Sequence, residues 1–585
     1  MCGICGIVSL SENHISEKTL KKMTHLIHHR GPDDEGYLID RKVGMGFKRL
    51  SIIDLKYGHQ PMSSDDQHVS IIFNGEIYNY LELRAELEQK GIKFKTKSDT
   101  EVVLECYRYY GVAAAEKLDG MFAIMIYNKV KKRVILLRDK VGKKPFYIFR
   151  SEGFIYLSSE LKSFSAIPDF RPKIDYEVLD YTFSFRHSPR LSPFSNVEML
   201  AHGHYIEIEL ENKLENYKCY FSFTSLISED LYRQYSEMPE KKVEEIFEEN
   251  LVKSVKKRLI ADVPVVSINS GGIDSSIISA IASKYIHEIV LFHINVKGSS
   301  ETEYANLLKN SMNSKMHVIN FDSEQFYNSF EEASHAYEYY MVHPNNVAMY
   351  LLSKEINRQG FKVVLGGEAA DEILGGYTHL NEMFRRKLFY YKYAFLRNNV
   401  FIEKVLKKAA ALLPFVSVPG VIEPGKMPEQ QCPKYIKEQS LVRKFEFIYN
   451  FIKDEDERRY KAFVLYDYVR YLQPLFLRGD KMFSANSVEL RLPFADLDLL
   501  KITLNLPYKY VNDKRILRNI GKRYIPVEIL NRPKIGFSTP FSVPEKFLPF
   551  KFHGLASGDL SVRNQISLLS MKLFVEKFFR GYDDL

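Results

Sequence analysis

One segment in the second half of the chain limits the possible folds more than any other. An apolar run at 264–268 leads into Ser270-Gly271-Gly272-Ile273-Asp274-Ser275-Ser276, after which a helical pattern begins. A strand, a glycine-rich turn and a helix N-terminus in succession bring backbone N–H groups together, and such a point binds anions. The alternative is a glycine-rich turn capped by Ser or Asp. The segment lacks the lysine and the spacing of G-x-x-x-x-G-K-[ST], so it is not a loop of that class.

The segments around this loop predict two folded domains. Apolar strands at 289–296, 317–320 and 362–365 alternate with helical patterns that begin at Ser275 and near Glu303, which favours a parallel sheet covered by helices. Beyond residue 377 the pattern is largely helical. Before residue 209, short strand-like runs alternate with helical stretches at 17–28, 80–90 and 100–110, which predicts a layered α+β domain. We therefore predict domains at 1–209 and 241–585, joined by a linker at 210–240.

Composition excludes several classes of protein. At 585 residues the chain exceeds what one core usually supports, and its net charge of +8 is small for that size. The basic, aromatic stretch 384–397 is typical of an amphipathic helix, so we predict no nucleic-acid partner. The apolar stretch 409–422 is too short to span a membrane. The five cysteines are odd in number and scattered, which favours a reducing, cytoplasmic location.

The chain begins Met1-Cys2-Gly3-Ile4-Cys5. A small second residue favours removal of the initiating Met, which would give Cys2 a free α-amino group. That amine has an ordinary pKa of about 7.7 to 8, so it can accept the thiol proton and make Cys2 a nucleophile. An inert cysteine, or a metal or redox pair of Cys2 with Cys5, remains an alternative at this point.

Four further motifs accompany Cys2 in order: Arg30-Gly31-Pro32-Asp33, Arg49-Leu50-Ser51-Ile52, Asn74-Gly75-Glu76-Ile77-Tyr78-Asn79 and Ser98-Asp99-Thr100-Glu101. Together they resemble the class II glutamine amidotransferases, which have N-terminal nucleophiles. The resemblance implies that Arg49 holds the α-carboxylate of glutamine, and that Glu76 and Asp99 hold its α-ammonium. It also implies an oxyanion hole formed by Asn74 and the Gly75 N–H, the kind of preorganised donor pair that a developing oxyanion needs.

A second acidic cluster, Gly366-Gly367-Glu368-Ala369-Ala370-Asp371-Glu372, follows the strand at 362–365. It therefore lies at the carboxyl edge of the predicted sheet, where open α/β sheets bind ligands. Asp274 and Asp371 could provide the carboxylates that Mg²⁺ prefers beside phosphates, and Glu368 could act as a base. A charged helix N-cap is the alternative for this cluster.

With 480–482, 489–496 and 532–537, these motifs resemble the glutamine-hydrolysing asparagine synthetases over nearly the full length. The resemblance implies a layered αββα domain of the N-terminal-nucleophile type, followed by an α/β domain of the ATP-pyrophosphatase type with a helical C-terminal part. It implies Cys2, Asn74, Gly75, Glu368 and Lys534 as catalytic residues. The implied ATP site consists of Ile268, Ser270, Gly271, Gly272, Asp274, Ser275, Ile294, Gly366 and Gly367, with Mg²⁺ on Asp274 and Asp371.

The implied reaction is the amidation of an aspartate β-carboxylate through an acyl-adenylate, with ammonia from glutamine crossing inside the protein. Several positions depart from the family pattern: Phe47, Asn269, Gly366 and Ala369, and the acceptor-proximal segment 337–346. A paralogue that amidates a sugar acid, a peptide acid or a secondary-metabolite acid is therefore the alternative enzyme.

A non-catalytic regulator that binds glutamine or a nucleotide is the remaining hypothesis. The family resemblance also allows a homodimer.

Overall fold

The computed structural model describes residues 1–185, 188, 190–296, 300–376, 433–532 and 562–579. The predicted segments 384–397 and 409–422 and the predicted catalytic residue Lys534 lie outside these ranges. Within them, no helix combines the length and the apolar character that crossing a membrane requires.

The first domain contains two six-stranded antiparallel sheets. Its strands are β1 (Gly3–Ser9), β2 (Asp34–Ile39), β3 (Val43–Arg49), β4 (Met62–Ser63), β5 (Val69–Ile77), β6 (Gly120–Asn128), β7 (Arg133–Arg138), β8 (Tyr147–Ser151), β9 (Phe154–Ser158), β10 (Val197–Met199), β11 (His204–Glu209) and β12 (Leu214–Cys219). The strand orders are β10-β8-β9-β1-β3-β2 and β12-β11-β7-β6-β5-β4.

Side-chain alternation along these strands produces four layers. Ile4 and Val8 of β1 belong to the apolar cluster between the two sheets, whereas Cys5 and Ile7 pack on the opposite face, in the cluster that contains Leu20 of the first helix. The outer face of the second sheet is covered by the helices Tyr80–Gln89 and Asp99–Tyr110. The arrangement is αββα, which confirms the predicted fold class of this domain.

Residues 210–240, predicted as a linker, contain regular structure. Strand β12 pairs with β11 from Leu214 to Cys219, so the second sheet continues past residue 209. The helix Glu229–Glu237 follows, with Ser228 as its N-cap.

The second domain is built on a parallel sheet of strands β13 (Val265–Ile268), β14 (Leu291–Val296), β15 (Met316–Phe321), β16 (Val363–Leu365) and β17 (Glu489–Arg491). Their order is β15-β14-β13-β16-β17, and every neighbouring pair is parallel. All parallel strands end at the same edge of the sheet, so the loops after β13 and β16 meet there. This confirms the predicted α/β class.

Helices surround the parallel sheet and make up the C-terminal part, as predicted. The helices of the whole described chain are Glu17–His25, Tyr80–Gln89, Asp99–Tyr110, Ala114–Lys117, Tyr176–Phe185, Glu229–Glu237, Glu240–Lys257, Ile273–Ala282, Glu301–Ser311, Ser323–Tyr337, Asn345–Arg358, Ala370–Ile373, Pro433–Ile448, Glu455–Arg470, Leu472–Ser484, Leu497–Asn505, Tyr508–Val511, Arg515–Gly521, Val527–Asn531 and Val562–Phe579.

The two domains meet through buried charges. Arg30 of the first domain is fully buried, and its guanidinium lies 2.9 Å from Glu160 Oε1 and 2.9 Å from Asp480 Oδ2 of the second domain. Glu338 accepts hydrogen bonds from the Leu161 and Lys162 N–H groups, each at 2.9 Å. We call Arg30, Glu160, Glu338 and Asp480 the interface charges. Buried ion pairs stabilise only in the correct geometry, so these charges fix how the domains dock.

Candidate active site

Cys2 lies immediately before strand β1, beside β3. Because Gly3 is opposite Lys48 in the β1–β3 register, Cys2 is next to Arg49 and Leu50. Its thiol donates a long hydrogen bond, 3.8 Å, to the Leu50 carbonyl, and burial raises the pKa of the thiol. Met1 is buried, with its α-ammonium 3.9 Å from Glu489 Oε2. Burial lowers the pKa of that amine to about 6. Removal of Met1, which the nucleophile role of Cys2 requires, would replace this amine by the α-amine of Cys2.

Cys5 does not share this site. It is fully buried on the other face of β1, where its sulfur lies 3.7 Å from the hydroxyl groups of Ser158 and Ser163. The two thiols therefore point to opposite faces of one strand and cannot bind the same metal ion. In the described part of the chain, no group of three or more His, Cys, Asp or Glu side chains is arranged to hold a metal.

Arg49 ends strand β3 with a buried cation. Its guanidinium donates to three main-chain carbonyls, those of Leu55 at 3.1 Å, Ile53 at 3.2 Å and Asp54 at 2.7 Å. Carbonyl dipoles orient the guanidinium without neutralising its charge. Such a cation suits an incoming carboxylate.

Asn74 and Gly75 lie near the end of strand β5. Asn74 is completely buried, and neither its amide nitrogen nor its amide oxygen has a hydrogen-bond partner. A buried amide without a hydrogen bond lowers the free energy of unfolding by about 1–3 kcal/mol, and such groups in native proteins often have a binding or catalytic function. Gly75 has φ +151°, and a Cβ there would lie 1.8 Å from the Met121 carbonyl oxygen. Only glycine fits this position.

Glu76 and Asp99 are buried and face charges from the second domain. Glu76 Oε1 lies 3.2 Å from the Arg491 guanidinium, which is also 2.8 Å from Glu489 Oε1. Asp99 Oδ2 accepts a hydrogen bond from the Ile77 N–H at 3.1 Å. Burial raises the pKa of Asp99 to about 7, and burial also raises that of Glu76, assisted by the nearby carboxylates. Besides Arg491, the Met1 ammonium lies within this group of carboxylates, 3.9 Å from Glu489.

The loop after β13 has the predicted shape. Gly271 has φ +70°, and a Cβ there would lie 2.6 Å from the Glu301 carbonyl oxygen. The hydroxyl groups of Ser270 and Ser275 lie 2.9 Å apart across the loop, and Gly272 caps the helix Ile273–Ala282 without a side-chain bond. First-turn N–H groups of a helix without such a cap are available to an anion.

The loops after β13 and β16 converge. A Cβ added to Gly367 would lie 2.7 Å from the Ser275 backbone nitrogen, so the acidic loop packs directly on the start of that helix. Ile268 ends β13, and Ile294 lies near the end of the adjacent β14. The predicted nucleotide residues Ile268, Ile294, Gly366 and Gly367 thus lie along one edge of the sheet.

Asp274 and Asp371, predicted as metal ligands, are joined by a lysine. Lys514 Nζ lies 2.6 Å from Asp274 Oδ2 and 2.6 Å from Asp371 Oδ1. The two carboxylates share one cation, and a pair of carboxylates is the kind of donor set that Mg²⁺ takes together with phosphate oxygens.

Glu368 lies at the inner end of the acidic loop. Its Oε1 is 3.5 Å from the Arg478 guanidinium, while its Oε2 is buried without a hydrogen-bond partner. Burial raises the pKa of Glu368, which brings this carboxylate closer to the range of a general base.

Strand β17 connects the two sites. Glu489 and Arg491 reach the Met1 amine and Glu76 in the first domain, while the Arg491 carbonyl accepts the Gly366 N–H at 3.0 Å in the second. Leu490 lines a small cavity with Met1 and other apolar and charged side chains, those of Met121, Lys143, Lys144, Phe476, Asp480 and Leu492. On its far side, Leu490 Cδ2 and Glu368 Oε2 lie 2.8 and 3.2 Å from the position of a Cβ on Gly479.

Four of the positions that depart from the family pattern have defined surroundings in the structure. Phe47 is fully buried between the two sheets, and Asn269 donates a hydrogen bond to the Ala305 carbonyl at 3.0 Å, which ties down the loop after β13. Ala369 has φ +76°, a conformation that glycine adopts more easily. A Cβ on Gly366 would lie 2.9 Å from Leu490 Cδ1, so Leu490 occupies the space that a larger residue would need.

Two residues of this region carried no role in the sequence prediction. Arg491 belongs to a recognised motif, but its contact with Glu76 depends on how the domains dock. Lys514 lies in no recognised motif, and a lone lysine gives no signal in the sequence. Lys534 lies outside the described residues.

Two family models match the chain in succession. Residues 1–220 match the family described as a glutamine amidotransferase domain, and residues 247–581 match the family described as asparagine synthase. The chain is 32% identical to asparagine synthetase [glutamine-hydrolyzing] 1 of Bacillus subtilis, over 92% of this chain and 87% of that protein. It is 28% identical to asparagine synthetase [glutamine-hydrolyzing] 2 of the same organism, over 92% and 72%.

A third relative is putative asparagine synthetase [glutamine-hydrolyzing] 2 of Methanocaldococcus jannaschii, 32% identical over 65% of this chain and 76% of that protein. The family matches and the first of these relatives together cover both halves of the chain, in the order in which the two sites occur. The chain therefore belongs to the asparagine synthase family, as an ATP-dependent ligase with an N-terminal glutamine amidotransferase domain.

Proposed function

We propose that this protein is a glutamine-hydrolysing asparagine synthetase. It hydrolyses glutamine to glutamate and ammonia, converts an aspartate β-carboxylate to an acyl-adenylate with release of pyrophosphate, and lets ammonia displace AMP to form asparagine. The observation that carries the proposal is strand β17, whose residues contact both candidate sites. An enzyme that passes ammonia between two sites needs them joined in this way, because ammonia released into water would be protonated and lost as a nucleophile.

In the first site, after removal of Met1, the α-amine of Cys2 takes the thiol proton and the thiolate attacks the side-chain carbonyl of glutamine. The amine then passes this proton to the amide nitrogen, which leaves as ammonia. The resulting thioester is hydrolysed to glutamate. Arg49 offers its charge to the substrate α-carboxylate, while Glu76 and Asp99 offer theirs to the α-ammonium. The Asn74 amide, unpaired in the free protein, donates to the oxyanion together with the Gly75 N–H.

In the second site, the loop Ser270 to Ser275 holds the ATP phosphates. Asp274 and Asp371 would hold Mg²⁺, which when bound neutralises phosphate charge. Glu368, with its pKa raised by burial, takes a proton from the attacking ammonia. In this proposal ammonia crosses along the apolar side chain of Leu490, which lines the cavity beside Met1 and lies near Glu368.

The glutaminase half of the proposal is tested with Cys2→Ala. Glutamine-dependent product formation should be lost, whereas synthesis from added ammonium salts should persist because the second site is intact. Cys219→Ala, which removes an exposed thiol outside the site, is the matched control and should behave as the parent protein. Equal glutaminase activity in Cys2→Ala and the parent would contradict the role of Cys2.

A second candidate acceptor is supported by the pocket beside Arg478. This pocket is lined by the aromatic rings of Tyr337, Tyr339 and Tyr471 and by His343. Burial lowers the pKa of His343 to about 3, so the ring is neutral. Aromatic and neutral polar groups suit a sugar acid or another acid with an uncharged body better than they suit the zwitterion of aspartate.

Product analysis separates these acceptors. With glutamine, ATP and aspartate, the proposal predicts asparagine, AMP and pyrophosphate in equal amounts. If AMP and glutamate form only when a sugar acid or another acid replaces aspartate, asparagine synthesis is wrong and the second candidate is correct. The homodimer, the cytoplasmic location and the lack of a nucleic-acid partner stay predictions.

A further inference from the structure

A buried lysine lies between the two carboxylates that are proposed to hold the metal. Lys514 is 4% exposed, and its Nζ lies 2.7 and 2.6 Å from the two oxygens of Asp274 and 2.6 Å from Asp371 Oδ1. These distances correspond to charge-assisted hydrogen bonds of full strength. The ammonium therefore lies in the space that a divalent ion bound to both aspartates would need.

The backbone around Lys514 is shaped for this contact. Asp513 and Lys514 are consecutive residues in the left-handed region, with φ of +52° and +56°, a conformation that costs non-glycine residues about 1–3 kcal/mol each. The Lys514 N–H donates to the Leu374 carbonyl at 3.2 Å. At Gly376 a Cβ would lie 2.2 Å from Lys514 Cε and 2.1 Å from Asp371 Oδ1, so the absence of a side chain there makes room for the pair.

The contacts of Lys514 are those of an ammonium group, since both of its partners are carboxylates within hydrogen-bond distance. A divalent cation between Asp274 and Asp371 would lie against the ammonium group of Lys514, and two cations in contact repel each other strongly in a site shielded from water. Both cannot lie between the same two carboxylates, so metal binding requires the lysine to move.

We propose that Lys514 is a built-in counter-ion that closes the metal site until ATP arrives. The divalent ion binds only together with the nucleotide, whose phosphates receive the displaced ammonium. Lys514 is then a positioning residue that sets the order of binding, since free Mg²⁺ in the cell cannot fill the site in advance. The inference rests on the proposed function for the position of the metal, and it adds the order in which metal and nucleotide bind.

The test follows Mn²⁺ binding by electron paramagnetic resonance on the full-length protein, with α,β-methylene-ATP as a nucleotide that is not cleaved at the reacting bond. The parent protein should not bind Mn²⁺ at micromolar concentrations alone, but should bind it when the nucleotide is present. Lys514→Met removes the ammonium and should bind Mn²⁺ without nucleotide at least tenfold more tightly than the parent. Lys514→Arg keeps the charge and should resemble the parent.

Lys509→Met is the matched control, because it removes one charge from an exposed lysine nearby and should leave Mn²⁺ binding unchanged. Micromolar Mn²⁺ binding by the parent protein without nucleotide would overturn the inference, and this arm does not depend on the folding of any variant. Equal Mn²⁺ affinity in the parent and a folded Lys514→Met would also overturn it. Since no turnover is measured, either failure leaves the proposed reaction intact, whereas absence of AMP formation with every acid would refute that reaction alone.

Discussion

Replacing Asn74 by alanine should separate catalysis from stability. If the Asn74 amide donates to the oxyanion, its loss removes about 2.7–4 kcal/mol of transition-state stabilisation, a decrease of about 10²–10³-fold in glutaminase kcat. The same amide is buried and unpaired in the free protein, which costs about 1–3 kcal/mol. Removing the amide recovers this unfavourable energy, but it also removes the van der Waals contacts that the amide makes in the core. We therefore expect the free energy of unfolding to stay within about 1 kcal/mol of the parent value.

Glutamate release and urea unfolding measure the two quantities on the same preparation. Asn79→Ala is the matched control, because the Asn79 amide donates to the Lys117 carbonyl and accepts from the Asp119 N–H, both at 2.9 Å. That variant should lose about 1 kcal/mol of stability per hydrogen bond and keep its glutaminase activity. The reasoning is refuted if Asn74→Ala retains more than half of the parent kcat, or if it destabilises the fold more than Asn79→Ala does.

Three further predictions concern buried groups near the glutamine site. Burial raises the pKa of Asp99 to about 7, so between about pH 4 and 7 the folded state binds more protons than the unfolded state. The free energy of unfolding should therefore fall as the pH rises through that window. Asp99→Asn should remove this dependence of the free energy of unfolding on pH, as measured by urea unfolding. Arg491→Leu should lower the free energy of unfolding by about 3–5 kcal/mol because it strands buried carboxylates, whereas Arg515→Leu, in an exposed pair, should cost under about 1 kcal/mol; equal losses would contradict this. Gly75→Ala should lower both Tm and glutaminase activity, since its Cβ would overlap the Met121 carbonyl. An unchanged Tm would contradict the backbone conformation described for this residue.

The parts of the site that arise from local structure could be predicted from the sequence. The phosphate loop follows from one strand and one helix, and Gly271 occupies the left-handed conformation that such a turn requires. Gly367 packs on the start of the same helix because parallel strands end together, so the convergence of the two loops was predictable from the alternating pattern.

Contacts between distant segments could not be predicted. Arg491 reaches Glu76 only because β17 is the edge strand beside β16, and a three-residue strand has too little pattern to be recognised. Lys514 depends on two consecutive left-handed residues, and although Asn512-Asp513 signals a turn, a turn does not indicate which distant carboxylates the lysine will contact. The linker prediction missed β12 because its residues alternate only weakly and most of them are exposed.

The interface charges limit how this enzyme could be recombined with others. Arg30 interacts at once with Glu160 of its own domain and Asp480 of the other, so neither domain carries a complete set of partners. A chimera that joins this glutaminase domain to a synthetase domain from a distant relative would preserve both chemistries but bury a charge without its partner. Exchange of domains between family members should therefore succeed only when the residues at these positions are exchanged together, and the interface would act as a compatibility filter during evolution and in engineering.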